Sequence, residues 1–124
     1  MTVRQPEDMH RAFTTAFNAD DLDALMALYE PDAGLAPAPG QTVSGTDAIR
    51  SALAGFLALH GQMTITTLRV VPSGDFALLH GSWILVGTDQ HGKAVELTGR
   101  NTEVVRRQHE DGWGFIIDNP FGDA

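Results

Sequence analysis

MTITTLRVVPSGDFALLHGSWILVGT, residues 63–88, is where the pattern of the chain changes. Upstream, apolar residues recur three and four apart. Within this stretch they are β-branched or alternate with polar ones, as in a strand with one face buried. Pro72-Ser73-Gly74-Asp75 interrupts the run with turn formers, so strands 63–71 and 76–88 fold back on each other. Two further strands, 94–108 and 113–119, follow across Asp89-Gln90-His91-Gly92 and Glu110-Asp111-Gly112. Short turns join antiparallel neighbours, and a four-strand meander leaves an apolar face that something must cover.

The cover lies upstream. Pro6, Glu7 and Asp8 suit a first helical turn, and Met9, Ala12, Phe13, Ala16 and Phe17 then mark one face of a helix. Asn18 to Asp21 breaks that pattern and caps a second short stripe, Leu22, Leu25, Met26 and Tyr29, which Pro31 ends. The segment YEPDAGLAPAPG, residues 29–40, reads as a short strand running into a proline-stiffened loop, with Asp32 a structural acid. Thr46 is expected to cap a third helix carrying Ile49, Ala52, Leu53, Phe56 and Leu57, with Gly61 as its stop. The order ααβαββββ predicts an α+β fold, three N-terminal helices packed on a curved antiparallel sheet.

The 124 residues suffice for a single domain, 1–124, with one core. Their 43% apolar and 19% charged content is that of an ordinary soluble protein. No window approaches the roughly 20 apolar residues of a membrane span. Glu7 and Asp8 spoil a secretory or transit signal, so a cytoplasmic protein is expected. Without cysteine there are no disulfides, thiol nucleophiles or thiolate metal sites. A net charge of -8 opposes both nucleic acid and anionic membranes as partners. The five histidines fall in no metal-ligand spacing, and no nucleotide-binding or nucleophile-elbow motif appears, so no metal and no cofactor are expected.

ADDLDALMALYEPDA (19–33), SGTDAIRSAL (44–53) and GRNTEVVRRQHEDGWGFIIDN (99–119), taken together, resemble the NTF2-like superfamily, most closely its SnoaL-like and ketosteroid-isomerase-like branch. The resemblance spans nearly the whole chain. It implies a cone whose open end admits a small molecule, and often a homodimer through the outer sheet face. The fold does not fix the chemistry. Laid on this chain, the isomerase tyrosine falls at Phe13, its general-base aspartate at Pro37 and its second aspartate at Val104, so the resemblance implies no isomerase acid-base set.

The same register points Leu79, Gly81, Trp83 and Leu85 into the cone, with Arg100, Thr102 and Val104, and with Ile117 and Asn119. Such a pocket buries apolar surface and orients a guest with few polar groups. Ligand-binding candidates are Arg100, Trp83, Asn119, Thr102, Phe13 and Tyr29. Arg100 offers a planar fork for an oxyanion or, alternatively, a salt bridge to Glu7, Asp8 or Asp118. Asn119 equally well closes a turn before Pro120, and Trp83 is read first as core with its indole nitrogen hydrogen-bonded, and only then as a stacking surface.

Asp118 and Glu103 are the reserve catalytic residues. Outward, they pair with Arg106 and Arg107; a one-residue slip of register turns them inward, where desolvation raises a carboxyl toward acid-base use. Two functions follow. One is a cofactor-independent protein binding a small apolar or amphipathic molecule, with isomerase-, cyclase- or hydrolase-type proton transfer. The other is a non-enzymatic dimeric module whose cone is filled by Phe13, Trp83 and Phe121. In both, Phe76, Leu78, Ile84 and Val105 are expected on the outer face, where apolar exposure favours a homodimer.

Overall fold

The computed structural model describes residues 2–108 and 112–122. Glu110 and Asp111 of the third expected turn, and His109, lie outside them. A 3-10 turn, Pro6–Asp8, leads into α1, Met9–Asn18, with proline at the first position, where its missing N–H costs nothing. Met9, His10, Ala12, Phe13, Ala16 and Phe17 are its buried face. In α2, Leu22–Met26, the Asp21 side chain accepts the Ala24 backbone N–H at 3.0 Å and so caps the first turn.

The second helix stops short of its expected end, and Tyr29 instead opens β1, Tyr29–Leu35. Pro31 sits in the irregular stretch between Tyr29 and Gly34, where a residue without N–H costs no ladder bond. A two-residue strand, β2 (Val43–Ser44), adds to the expected order. Before α3, Thr46–Leu57, Gly45 occupies the cap position at φ 89 with no side-chain bond, so Thr46 is the first helical residue rather than the cap. Nor is Gly61 a helix stop. A Cβ there would lie 2.5 Å from the Val86 carbonyl oxygen, so this glycine permits close packing of backbone on the sheet.

β3 (Gln62–Ser73), β4 (Phe76–Thr88), β5 (Ala94–Arg107) and β6 (Trp113–Asn119) complete a six-stranded sheet in the order β2-β1-β6-β5-β4-β3. The meander is antiparallel, but β1 runs parallel to β6, so the sheet is mixed rather than wholly antiparallel. Helices α1 and α3 close its concave face: Phe13, Phe17, Ile49 and Leu53 share one core with Leu79, Trp83, Leu85, Val105 and Phe115. This is the α+β cone. Among the described residues, no helix is long and apolar enough to cross a membrane.

Register decides which groups enter the cone. Directly paired residues of neighbouring strands share a face. The pairs Leu79↔Glu103, Gly81↔Asn101 and Trp83↔Gly99 therefore turn Asn101 and Glu103 inward along with Leu79 and Trp83. The expected assignment of β4 holds, and that of β5 is one residue off: Arg100, Thr102 and Val104 face outward, and Val105, expected outside, is fully buried. On β6 a bulge intervenes. Val104 pairs with Ile117 but Val105 pairs with Phe115, which leaves Ile116 as the extra residue. The bulge turns both Phe115 and Asp118 inward and leaves Ile117 outside, 51% exposed.

Candidate functional site

Between α1, α3 and the concave sheet lies a cavity of about 50 Å³. One water needs ~10–15 Å³ by this measure, so the space admits a small guest. Phe13, Phe17, Phe56, Trp83 and Phe115 supply aromatic walls; Leu35, Leu53, Met63 and Ile65 supply aliphatic ones. At one end the wall turns polar, with His10, Asn101, Glu103 and Asp118. All four are buried.

Two linked clusters make up this polar end. His10, on the same helical face as Phe13 and Phe17, places Nε2 2.5 Å from Glu103 Oε1 and Nδ1 2.6 Å from Thr67 Oγ1. The Asn101 amide donates to both Glu103 oxygens, at 3.0 and 2.7 Å. Gly81 is what admits this amide. A Cβ at Gly81 would lie 2.9 Å from both Asn101 Oδ1 and Nδ2, so the pair Gly81↔Asn101 is specified by space. Among the described residues, Asn101 Oδ1 is left buried without a partner.

The second cluster is Asp118 with Tyr29, whose hydroxyl donates to Asp118 Oδ2. Glu103 and Asp118 are cross-strand partners, so two carboxyls sit side by side with no arginine between them. Burial, and then the charge of Glu103, push the Asp118 carboxyl up to about 7; the Tyr29 hydrogen bond opposes this without cancelling it. Tyr29 itself is raised well above its ordinary value, by burial first and by the Asp118 charge second. A carboxyl that changes protonation near neutrality on the wall of an apolar cavity is equipped to give or take a proton. Among the described residues no three His, Asp or Glu side chains gather as a metal-binding set.

The expected site residues divide. Phe13 and Trp83 line the cavity, Trp83 held by donation of its indole N–H to the Pro120 carbonyl at 2.5 Å. Tyr29 is buried at the polar end as the partner of Asp118, not at a helix end facing the mouth. Asn119 closes the turn after β6 by donating to the Gly122 carbonyl at 2.6 Å. Thr102 faces outward, 3.2 Å from His80 Nδ1. Arg100 is exposed on the outer face, in a groove with Arg69 and His80, and among the described residues it pairs with none of Glu7, Asp8 and Asp118.

Asp118 and Glu103 take the inward places. Arg106, expected beside them, binds Glu30 instead. Pro37 lies beyond the end of β1 and off the cavity wall. Beside Val104, which faces away, Glu103 occupies the inward place. Sequence reasoning missed His10 and Asn101. The first was legible as a histidine three and seven residues before Phe13 and Phe17, on an apolar face.

The SnoaL-like domain family matches residues 10–113. No match is found among the curated proteins. Solved structures share the fold. A ketosteroid isomerase-like protein from Erwinia carotovora atroseptica superposes with a TM-score of 0.80 at 23% identity, covering 91% of this chain and 89% of that one. A conserved protein from Planctomyces limnophilus gives 0.82 at 18%, covering 93% and 91%. A candidate dehydratase of the NTF2-like family from Streptomyces avermitilis gives 0.78 at 22%, covering 94% of each. With the family matched across most of its length, the chain belongs to the SnoaL-like domain family, on the fold that these solved structures share.

Proposed function

We propose that this protein binds a small, largely apolar molecule inside the cone and moves a proton on it, with Asp118 as the proton-transferring group. The supporting observation is the Asp118 carboxyl itself: inward-facing, buried on the cavity wall, and raised to about 7. Burial, and then the charge of Glu103, keep that carboxyl raised, and Tyr29 holds it by the hydrogen bond to Oδ2. The chemistry is isomerase-, cyclase- or hydrolase-type acid-base catalysis, run by the protein's own side chains. The remaining space favours this reading over a module whose cone is filled by Phe13, Trp83 and Phe121. Phe121 packs edge-on against Trp83 at 5.6 Å and leaves the cavity open. As its partner in assembly we propose a second copy of the chain, seated on the outer sheet face.

Xenon is a suitable probe of an apolar cavity. Xenon is expected to shift the methyl signals of Leu53 and Met63, and Ile65→Trp, at a half-buried position on the wall, is expected to abolish those shifts while the circular dichroism stays native. Asp118→Asn is expected to keep the binding and lose any exchange of solvent deuterium into a bound guest. Equal xenon shifts in the wild type and the Ile65→Trp protein would remove the cavity from the account.

A further inference from the structure

The polar end of the cavity contains acceptors whose complement is missing. Its donors are all engaged within the protein. Both nitrogens of His10 are held, by Thr67 and by Glu103. The Tyr29 hydroxyl goes to Asp118, the Asn101 amide to Glu103, and the Trp83 indole N–H to Pro120. Acceptors remain. Among the described residues Asn101 Oδ1, on a residue 3% exposed, has no partner, and the Tyr29 bond occupies only Oδ2 of Asp118, with no bond to Oδ1. A buried acceptor without a donor is costly, so a guest that brings N–H groups gains what the empty site forgoes.

Charge selects further among donors. Glu103 and Asp118 lie side by side, and no lysine or arginine lines the cavity, Arg100 being on the far face of the sheet. Above the Asp118 transition, an anionic guest would meet two acids and no donor left free among the described residues. A cation would be a counterion for Asp118, which among the described residues has no basic partner while Glu103 has His10, and ammonium groups are also favoured against aromatic walls, here Phe13, Phe17, Phe56, Trp83 and Phe115. We infer that the cavity takes a small organic amine in its protonated form, its apolar body among the aromatic side chains and its ammonium group against Asp118 and Asn101.

This inference rests on the reading of the cone as the ligand site, and the two can fail separately. Cyclopentylamine, cyclopentanol and cyclopentanecarboxylate share a ring and differ in the group that matters. In NMR titrations of the whole protein near pH 7.5, a working value set just above the Asp118 transition, the amine is expected to shift the Trp83 indole and Asn101 side-chain amide signals. Its binding should be roughly tenfold tighter than that of the alcohol, and the carboxylate should not bind. Calorimetry in buffers of different ionisation enthalpy is expected to show proton release on amine binding, because the ammonium group favours ionised Asp118. Asp118→Asn should bring the amine down to the level of the alcohol. An alcohol or carboxylate that binds as tightly as the amine would overturn the amine assignment and leave the cavity reading intact. Failure of all three to perturb the cavity would overturn both.

Discussion

Asp118 is built to be uncomfortable as a carboxylate. Its environment follows from three neighbours: the Ile116 bulge that turns it inward, the apolar wall that excludes water, and Glu103 across the strand. Its carboxyl is held near 7 when folded and returns to about 3.8 when the chain unfolds. Between those values the native state binds the extra proton, so stability is greatest on the acid side and falls as pH rises toward 7, then levels. The loss is on the order of a few kcal/mol. Urea unfolding at mildly acidic and mildly basic pH is expected to show this decline in the wild type. Asp118→Asn should flatten it and leave the variant the more stable of the two above neutrality. An unchanged slope in the variant would place the titration on another group.

At the scale of elements, the faces of β4 and β5 are locked by glycines set opposite large inward side chains. Gly81 makes room for Asn101, and Gly99 for Trp83: a Cβ on Gly99 would lie 2.7 Å from the indole Nε1 and 2.9 Å from the Pro120 oxygen it binds. Gly99→Ala is therefore expected to cost about 1–3 kcal/mol of stability and to move the indole N–H resonance as its bond to Pro120 breaks. A native-like indole signal with unchanged stability would contradict this. The spans of helices and strands were legible because periodicity and turn residues mark them. The inward face of β5 was not, because apolar residues occupy both parities, at Val95, Leu97 and Val105 on one and at Ala94 and Val104 on the other. The residues Asp118 and Asn119 are likewise polar at both parities, and nothing in the alternation announces the bulge at Ile116. The fold was thus readable, as were Phe13 and Trp83 on the cavity wall, while the inward polar face of β5 and β6 was not: a helix survives an error of one residue, whereas a strand exchanges its faces.

For the whole molecule, the outer sheet face remains to be accounted for. Ile84, Val86 and Phe76 of β4 are about half exposed, as is Ile117 of β6, a concentration of apolar surface that water does not favour. A second copy is the natural cover, because a two-fold contact sets one patch against itself. The charges suggest where the axis falls. Ile84 pairs with Thr98, and Glu96 and Arg100 flank Thr98 on the same exposed face. In the dimer we propose, an axis near Thr98 would set Ile84 against its own copy and Glu96 against Arg100 of the partner subunit on either side. Arg100, turned away from the cavity by the register of β5, would then serve assembly. Light scattering at micromolar concentration is expected to show a dimer for the wild type and a monomer for Ile84→Lys. Arg100→Glu should weaken the dimer, and Glu96→Arg combined with Arg100→Glu should restore it, because the exchanged charges again face their opposites. A wild-type monomer would refute the dimer itself, and a dimer indifferent to Arg100→Glu would move its axis away from Thr98.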